Sequence, residues 1–180
     1  MPNKADLRRE MRRLKAAHTA SELQRLSEAA AGNLLRHPQW LAAHTVLLYH
    51  SLPDEVSTNT LLDAALAGDR TVLLPVVSAD DLVVRRYDGA ATLTPGAYNI
   101  LEPTGADFTD YAAIDLAVVP GMAFTRQGLR LGRGKGYYDR LLPRLTNAMK
   151  IGLCWPFQLI DAIPAEAHDV TMDLVLTAGD

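Results

Sequence analysis

A single α/β domain with a largely parallel central sheet and helices on both faces is predicted by three features of this chain. Short, continuous apolar runs recur at 45–49, 71–77, 116–119, 150–154 and 174–177. Amphipathic or capped stretches separate several of them, as helices do between parallel strands. The 180 residues carry neither an internal repeat nor a long linker, so one core is expected.

Each element has a local cause. Over 4–17, Leu7, Met11 and Leu14 recur at helical spacing, with Lys4, Arg8 and Arg12 on a neighbouring face. Thr19 and Glu22 have capping-box spacing and open a second helix, which must end near Pro38. Residues 45–49 read as a buried strand, followed by the loop Ser51–Ser57. Thr58 or Asn59 can cap a helix over 60–67 that Gly68 ends. Strands are expected at 71–77 and, with alternating character, at 82–87. Residues 88–103, rich in Gly, Pro and Thr, read as irregular or as short strands. The strand 116–119 is cut by Pro120-Gly121. A helix begins near Tyr137, and 150–154 and 174–177 close the sheet. In such sheets ligands sit beyond the carboxyl ends of the strands, which puts 52–58, 120–136 and the loop after Trp155 on one rim.

Composition narrows the function classes. With 48% hydrophobic and 22% charged residues the chain is not disordered, and a net charge of −3 gives no overall footprint for nucleic acid. Charge is nevertheless uneven. Residues 1–40 hold eight Lys/Arg against four acids, and 126–150 hold seven against Asp139 alone. This pattern suits a focused anion site, or, for 1–40, a solvated helix face. The single Cys154 allows no intrachain disulfide and lies in an apolar run, as a buried thiol would. The N-terminus is charged rather than apolar, and no apolar run spans a membrane. A cytoplasmic monomer without nucleic-acid or membrane partners is expected.

The chemistry concentrates in 119–140. Gly132, Gly134 and Gly136 alternate with Arg133 and Lys135, and Arg130 precedes them. Glycine lets backbone amides approach an anion, while Arg offers a rigid fork of donors and Lys a mobile charge. A helix starting at Tyr137 would add free N–H groups. This is a phosphate cradle, yet neither the nucleotide P-loop nor the dinucleotide fingerprint. Glu55 can accept N–H groups of a heterocycle, or act as a cap or solvated acid. Asp139, Asp169 or Asp173 could supply the one or two carboxylates that magnesium needs beside phosphates, or lie on the surface. There is no zinc spacing and no serine nucleophile elbow.

Pro120-Gly121-Met122-Ala123-Phe124, Gly128 and the run Arg130–Arg140 closely resemble the signature of the 5-formyltetrahydrofolate cyclo-ligases, also called 5,10-methenyltetrahydrofolate synthetases. The likeness extends over nearly the whole chain. It implies an ATP-contacting helix with Lys4 and Arg8, and nucleotide contacts at Arg130, Gly132, Arg133, Gly134, Lys135, Gly136, Tyr137 and Asp139. It implies reduced-folate contacts at Ser51, Glu55, Tyr98, Tyr138 and Gln158, Mg2+ at Asp139 and Asp169, and catalytic parts for Arg133, Lys135 and Tyr138. The activity implied is ATP-dependent closure of 5-formyltetrahydrofolate to the 5,10-methenyl form. One departure stands out: Thr125 occupies a position where the family usually carries aspartate. Alternatives are an enzyme of this fold with another substrate, a folate- or nucleotide-binding protein without turnover, and an RNA-binding module using both basic segments.

Overall fold

The computed structural model describes residues 2–180. In chain order its elements are α1 (Lys4–Ala16), α2 (Ala20–Leu35), α3 (Pro38–Ala42), β1 (Thr45–Leu47), α4 (Asn59–Ala67), β2 (Thr71–Ser78), β3 (Asp81–Arg86), β4 (Leu93–Pro95), β5 (Leu101–Pro103), β6 (Leu116–Val119), β7 (Ala123–Phe124), β8 (Arg130–Leu131), α5 (Tyr137–Leu141), β9 (Met149–Leu153) and β10 (Leu174–Leu176). The central sheet has the order β10-β9-β6-β1-β2-β3. Its first five strands are parallel, registered as Leu174↔Ile151, Val118↔Ile151, Val46↔Leu116 and Val46↔Val72. Only β3 runs antiparallel, folded back on β2 with Leu74 opposite Arg85.

Both sheet faces are covered. On one, Ala30, Leu34, Leu61 and Leu62 of α2 and α4 pack on Val46, Val72 and Val118. On the other, Leu141, Leu142 and Leu145 pack on Leu47, Leu73 and Val119. A third cluster docks α1, through Leu7 and Met11, on Met122, Ala123 and Leu131. None of the helices among the described residues is long and apolar enough to cross a membrane.

Local chemistry explains the boundaries. Thr19 forms the full capping box with Glu22. Pro38 does more than end α2: with His37 as N-cap it opens α3, since proline suits the first helical turn. Two hairpins have strands only two or three residues long, too short for a periodicity. β4–β5 lies in 88–103, where short strands were one of the readings, and β7–β8 lies inside the stretch expected to be loop.

The placement of strands fixes where a ligand can go. From β1 the chain crosses to β2 on one side, whereas from β6 it crosses to β9 on the other. The loops leaving the carboxyl ends of these adjacent strands therefore diverge and open a crevice between them, as at other topological switch points.

Candidate active site

A cavity of about 490 Å³ fills that crevice. Its walls come from three rim segments and α1. The loop after β1 gives His50, Leu52 and Glu55, the β4–β5 hairpin gives Tyr98 and Glu102, and residues 130–139 form the longest wall. Lys4 and Arg8 of α1 face it, with Glu166, His168 and Asp169 behind them.

The loop after β1 is held rigidly. Tyr49 donates its hydroxyl to the Val56 carbonyl at 2.9 Å, and Thr58 donates to the Tyr49 carbonyl. Glu55 caps its own turn by accepting from the Leu52 amide at 2.9 Å, which leaves its other oxygen toward the cavity. Arg133 reaches that oxygen at 3.2 Å and Asp54 at 2.6 Å. Lys15 of α1 holds Asp54 from the far side at 3.3 Å. Burial alone would raise the Asp54 carboxyl, but Arg133 and Lys15 hold it below its ordinary value.

The glycine segment presents its charges through backbone shape. Gly134 and Gly136 have φ of +102° and +70°, a region that branched residues avoid. Arg8 donates to the Gly132 carbonyl at 2.8 Å and passes beneath Gly134. Lys135 has no carboxylate partner among the described residues. Its ammonium lies 5.9 Å from the Tyr98 ring, whose hydroxyl is 3.4 Å from that of Tyr137. The helix after the segment differs from expectation: α5 has five residues and Gly136 caps it without a side chain, so its amides and dipole add little.

Several of the carboxylates and cations are already paired. Asp169 takes Lys4 at 2.8 Å and the Glu166 amide at 2.8 Å; these contacts overcome its burial and lower its pKa. Asp139 takes the buried Arg130 at 2.6 Å and, among the described residues, has no partner on its other oxygen. Glu166, His168 and Asp169 bring ligand atoms within 4.8 Å of one another. Only the two carboxylates of this group are hard oxygen donors, which suits Mg2+ arriving with a polyphosphate better than a dedicated all-protein cage; the His168 imidazole is a nitrogen donor that Mg2+ does not favour. Burial above all, with Glu55 adding, pushes the Tyr138 phenol far up, so it stays protonated and offers a donor and an aromatic wall, not a base.

Most of the residues singled out in the sequence thus converge on one cavity, but two substrate-contact candidates do not line it. Gln158 is buried, accepts from the Trp155 amide at 2.9 Å and donates to the Gly121 and Met122 carbonyls at 3.2 and 3.1 Å. It fixes the 120–122 turn from behind. Ser51 faces away and receives the Thr58 amide at 3.4 Å. Asp173 lies at the opposite end of the sheet, where it accepts from the Lys150 amide at 2.7 Å. Thr125, the departure from the family pattern, is buried in the β7–β8 hairpin and accepts from the Leu129 amide at 3.1 Å. Cys154 is buried with its thiol pushed up to about 12. Wall residues beyond those singled out as contacts include His50, Glu102 and Glu166. Glu102 lies in the stretch 98–103 that resembles the family's pattern, and His50 directly follows the first apolar strand, a position the ligand-rim rule favours.

Comparison with known proteins converges on one group. Residues 1–178 match the model of the 5-formyltetrahydrofolate cyclo-ligase family. The chain is 29% identical over 174 residues to the 5-formyltetrahydrofolate cyclo-ligase of Escherichia coli K12, covering 93% of this chain and 96% of that protein. The Mycolicibacterium smegmatis 5-formyltetrahydrofolate cyclo-ligase is 35% identical over 146 residues, 76% of this chain and 75% of that one. The NMR structure of Aquifex aeolicus 5,10-methenyltetrahydrofolate synthetase superposes with a TM-score of 0.87 at 33% identity, over 98% of this chain and 90% of that chain. The match in sequence, its extent and the shared fold lead to one conclusion: the chain belongs to the 5-formyltetrahydrofolate cyclo-ligase family.

Proposed function

We propose that the protein uses ATP to cyclise 5-formyltetrahydrofolate to 5,10-methenyltetrahydrofolate, releasing ADP and phosphate. The observation that carries this reading is that one cavity brings together two chemistries. Its lining holds Lys4, Arg8, Arg133 and Lys135 around a glycine loop, and also Tyr98, Tyr138 and Glu55 with aromatic faces and a carboxylate, the two sets meeting where Arg133 reaches Glu55 at 3.2 Å. The first suits polyphosphate and the second a flat, N–H-rich heterocycle.

In this scheme the formyl oxygen attacks the γ-phosphorus and ADP leaves. N10 then attacks the activated carbon, phosphate departs with that oxygen, and the N10 proton is lost. Both steps need alignment and charge neutralisation more than a strong base. Arg133 and Lys135 would hold the transferring phosphoryl group, and Lys4 and Arg8 the rest of the polyphosphate. Glu55 would receive pterin N–H groups while Tyr138 donates from the wall. The free oxygen of Asp139, with Asp169, would hold Mg2+, which when bound supplies further neutralisation of phosphate charge.

The test is methenyl absorbance developing from 5-formyltetrahydrofolate with ATP and magnesium, with each omitted in turn. Signal only in the complete mixture supports the reading. Nucleotide binding without any methenyl product would favour a binding protein of the same fold.

A further inference from the structure

The geometry points to Arg130 as a positioning residue: paired with Asp139, it clasps the base of the loop 132–136 and acts on a bound phosphate only through that loop. The phosphate part of this statement rests on the nucleotide reading above; the clasp itself does not.

Arg130 borders the cavity but differs from the other cations of the segment in its burial and in how its fork is engaged. Its side chain is 5% exposed, against 43% for Arg133. Its fork is spent on the protein, with one nitrogen on Asp139 at 2.6 Å and another on the Pro120 carbonyl at 3.3 Å. The guanidinium lies 5.6 Å from the Tyr138 ring, and its Nε is buried with no partner. Space for it is made by two glycines. A Cβ on Gly132 would come to 3.0 Å from the guanidinium, and one on Gly121 to 3.2 Å from the Arg130 stem.

The two partners stand at the two ends of the loop. Arg130 lies in β8 and Asp139 in the first turn of α5. Between them the backbone adopts positive φ at Gly134 and Gly136, and the loop is tied along its length by Arg8 on the Gly132 carbonyl, Arg133 on Asp54 and Arg140 on the Lys135 carbonyl. The buried pair adds the constraint at its base. It also turns one Asp139 oxygen inward, which sets the direction of the other, as second contacts do for ligating carboxylates.

Two variants, Arg130→Met and Asp139→Asn, and their combination decide the matter. Trypsin cuts after Arg133 and Lys135 report loop opening in the free protein, because cleavage follows the open population. Each single change should speed cutting there about tenfold, with the double variant no faster than the faster single one. Cutting at Arg25 of α2, on the far sheet face, should not change in the same digest, which separates a loop effect from general unfolding. The affinity for a non-hydrolysable ATP analogue should follow the same non-additive pattern. Parent-like cutting in both single variants would overturn the clasp, as would multiplying effects in the double variant. Should Arg130→Met fail to fold, Asp139→Asn removes the negative charge of the same pair from its more exposed end. A parent that binds no analogue would count against the proposed function, while the cleavage pattern would still decide the clasp.

Discussion

Among the described residues the Lys135 ammonium has neither a carboxylate nor a hydrogen-bond partner, whereas Lys4 and Arg133 are held by carboxylates and Arg8 is spent on the Gly132 carbonyl. Replacing Lys135 with alanine should therefore act on turnover and not on folding. Lys135→Ala is expected to lower kcat/KM by roughly 10²-fold, about 2.7 kcal/mol, with a melting curve like the parent's. Near-normal kinetics would remove Lys135 from the phosphate side. Gly134→Val should be worse, because φ is +102° there and a side chain would also press on Arg8. Glu55→Gln distinguishes folate contacts from nucleotide contacts. It weakens a site for pterin N–H groups, where a charged hydrogen bond contributes about 1.5–3 kcal/mol, and it loosens Arg133. Folate turnover should fall at least tenfold, while nucleotide affinity holds or rises; equal losses in both would make Glu55 structural. Thr125→Asp should change the rate by less than about threefold, because this position caps a hairpin away from the cavity. A large gain on installing aspartate would show that the hairpin reaches the chemistry. At this scale the sequence was legible where charge and glycine alternate, since spacing alone puts Arg133 and Lys135 together. It was not legible for Gln158 and Ser51. Whether a loop side chain faces a cavity or braces its back is set by partners more than thirty residues away, Gly121 in the case of Gln158, and by the turn that closes Ser51 on Thr58.

Among the elements, α1 behaves as a strap across the rim. Lys4 ties it to 166–169, Arg8 to Gly132 and Lys15 to Asp54, so one basic face bridges three loops that the sheet alone leaves apart. Its helical spacing was visible in sequence, and its net charge left open whether that face was solvated. The structure resolves the choice through contacts that span most of the chain. Two of the tethers end on carboxylates whose folded pKa is lowered, Asp54 and Asp169. Stability from a lowered carboxylate is complete above its unfolded pKa, ordinarily 3.8, and is lost as pH falls through the folded value. Acid should thus free α1 while the apolar sheet still holds. Hydrogen exchange read below that value should show α1 amides losing protection before those of β1, β2 and β6. Simultaneous loss in α1 and the sheet would mean that the apolar cluster of Leu7 and Met11, not the ion pairs, seats the helix.

The whole molecule follows from strand order. Continuous apolar runs with helices between them were enough to anticipate a parallel sheet covered on both faces and a rim at its carboxyl ends. The order β10-β9-β6-β1-β2-β3, which opens the crevice between β1 and β6, depends on pairings that no local pattern encodes. The same holds for β4–β5, whose tip carries Tyr98 and Asn99 at φ of +57° and +58° and hangs Tyr98 over the cavity. The account therefore stands or falls on what this crevice does when filled. The most direct measurement is methenyl absorbance from 5-formyltetrahydrofolate, run on the intact chain and on Lys135→Ala, with and without ATP. The account predicts product that needs ATP and is reduced roughly 10²-fold by the substitution. An intact chain that binds nucleotide and folate yet forms no methenyl product would contradict it.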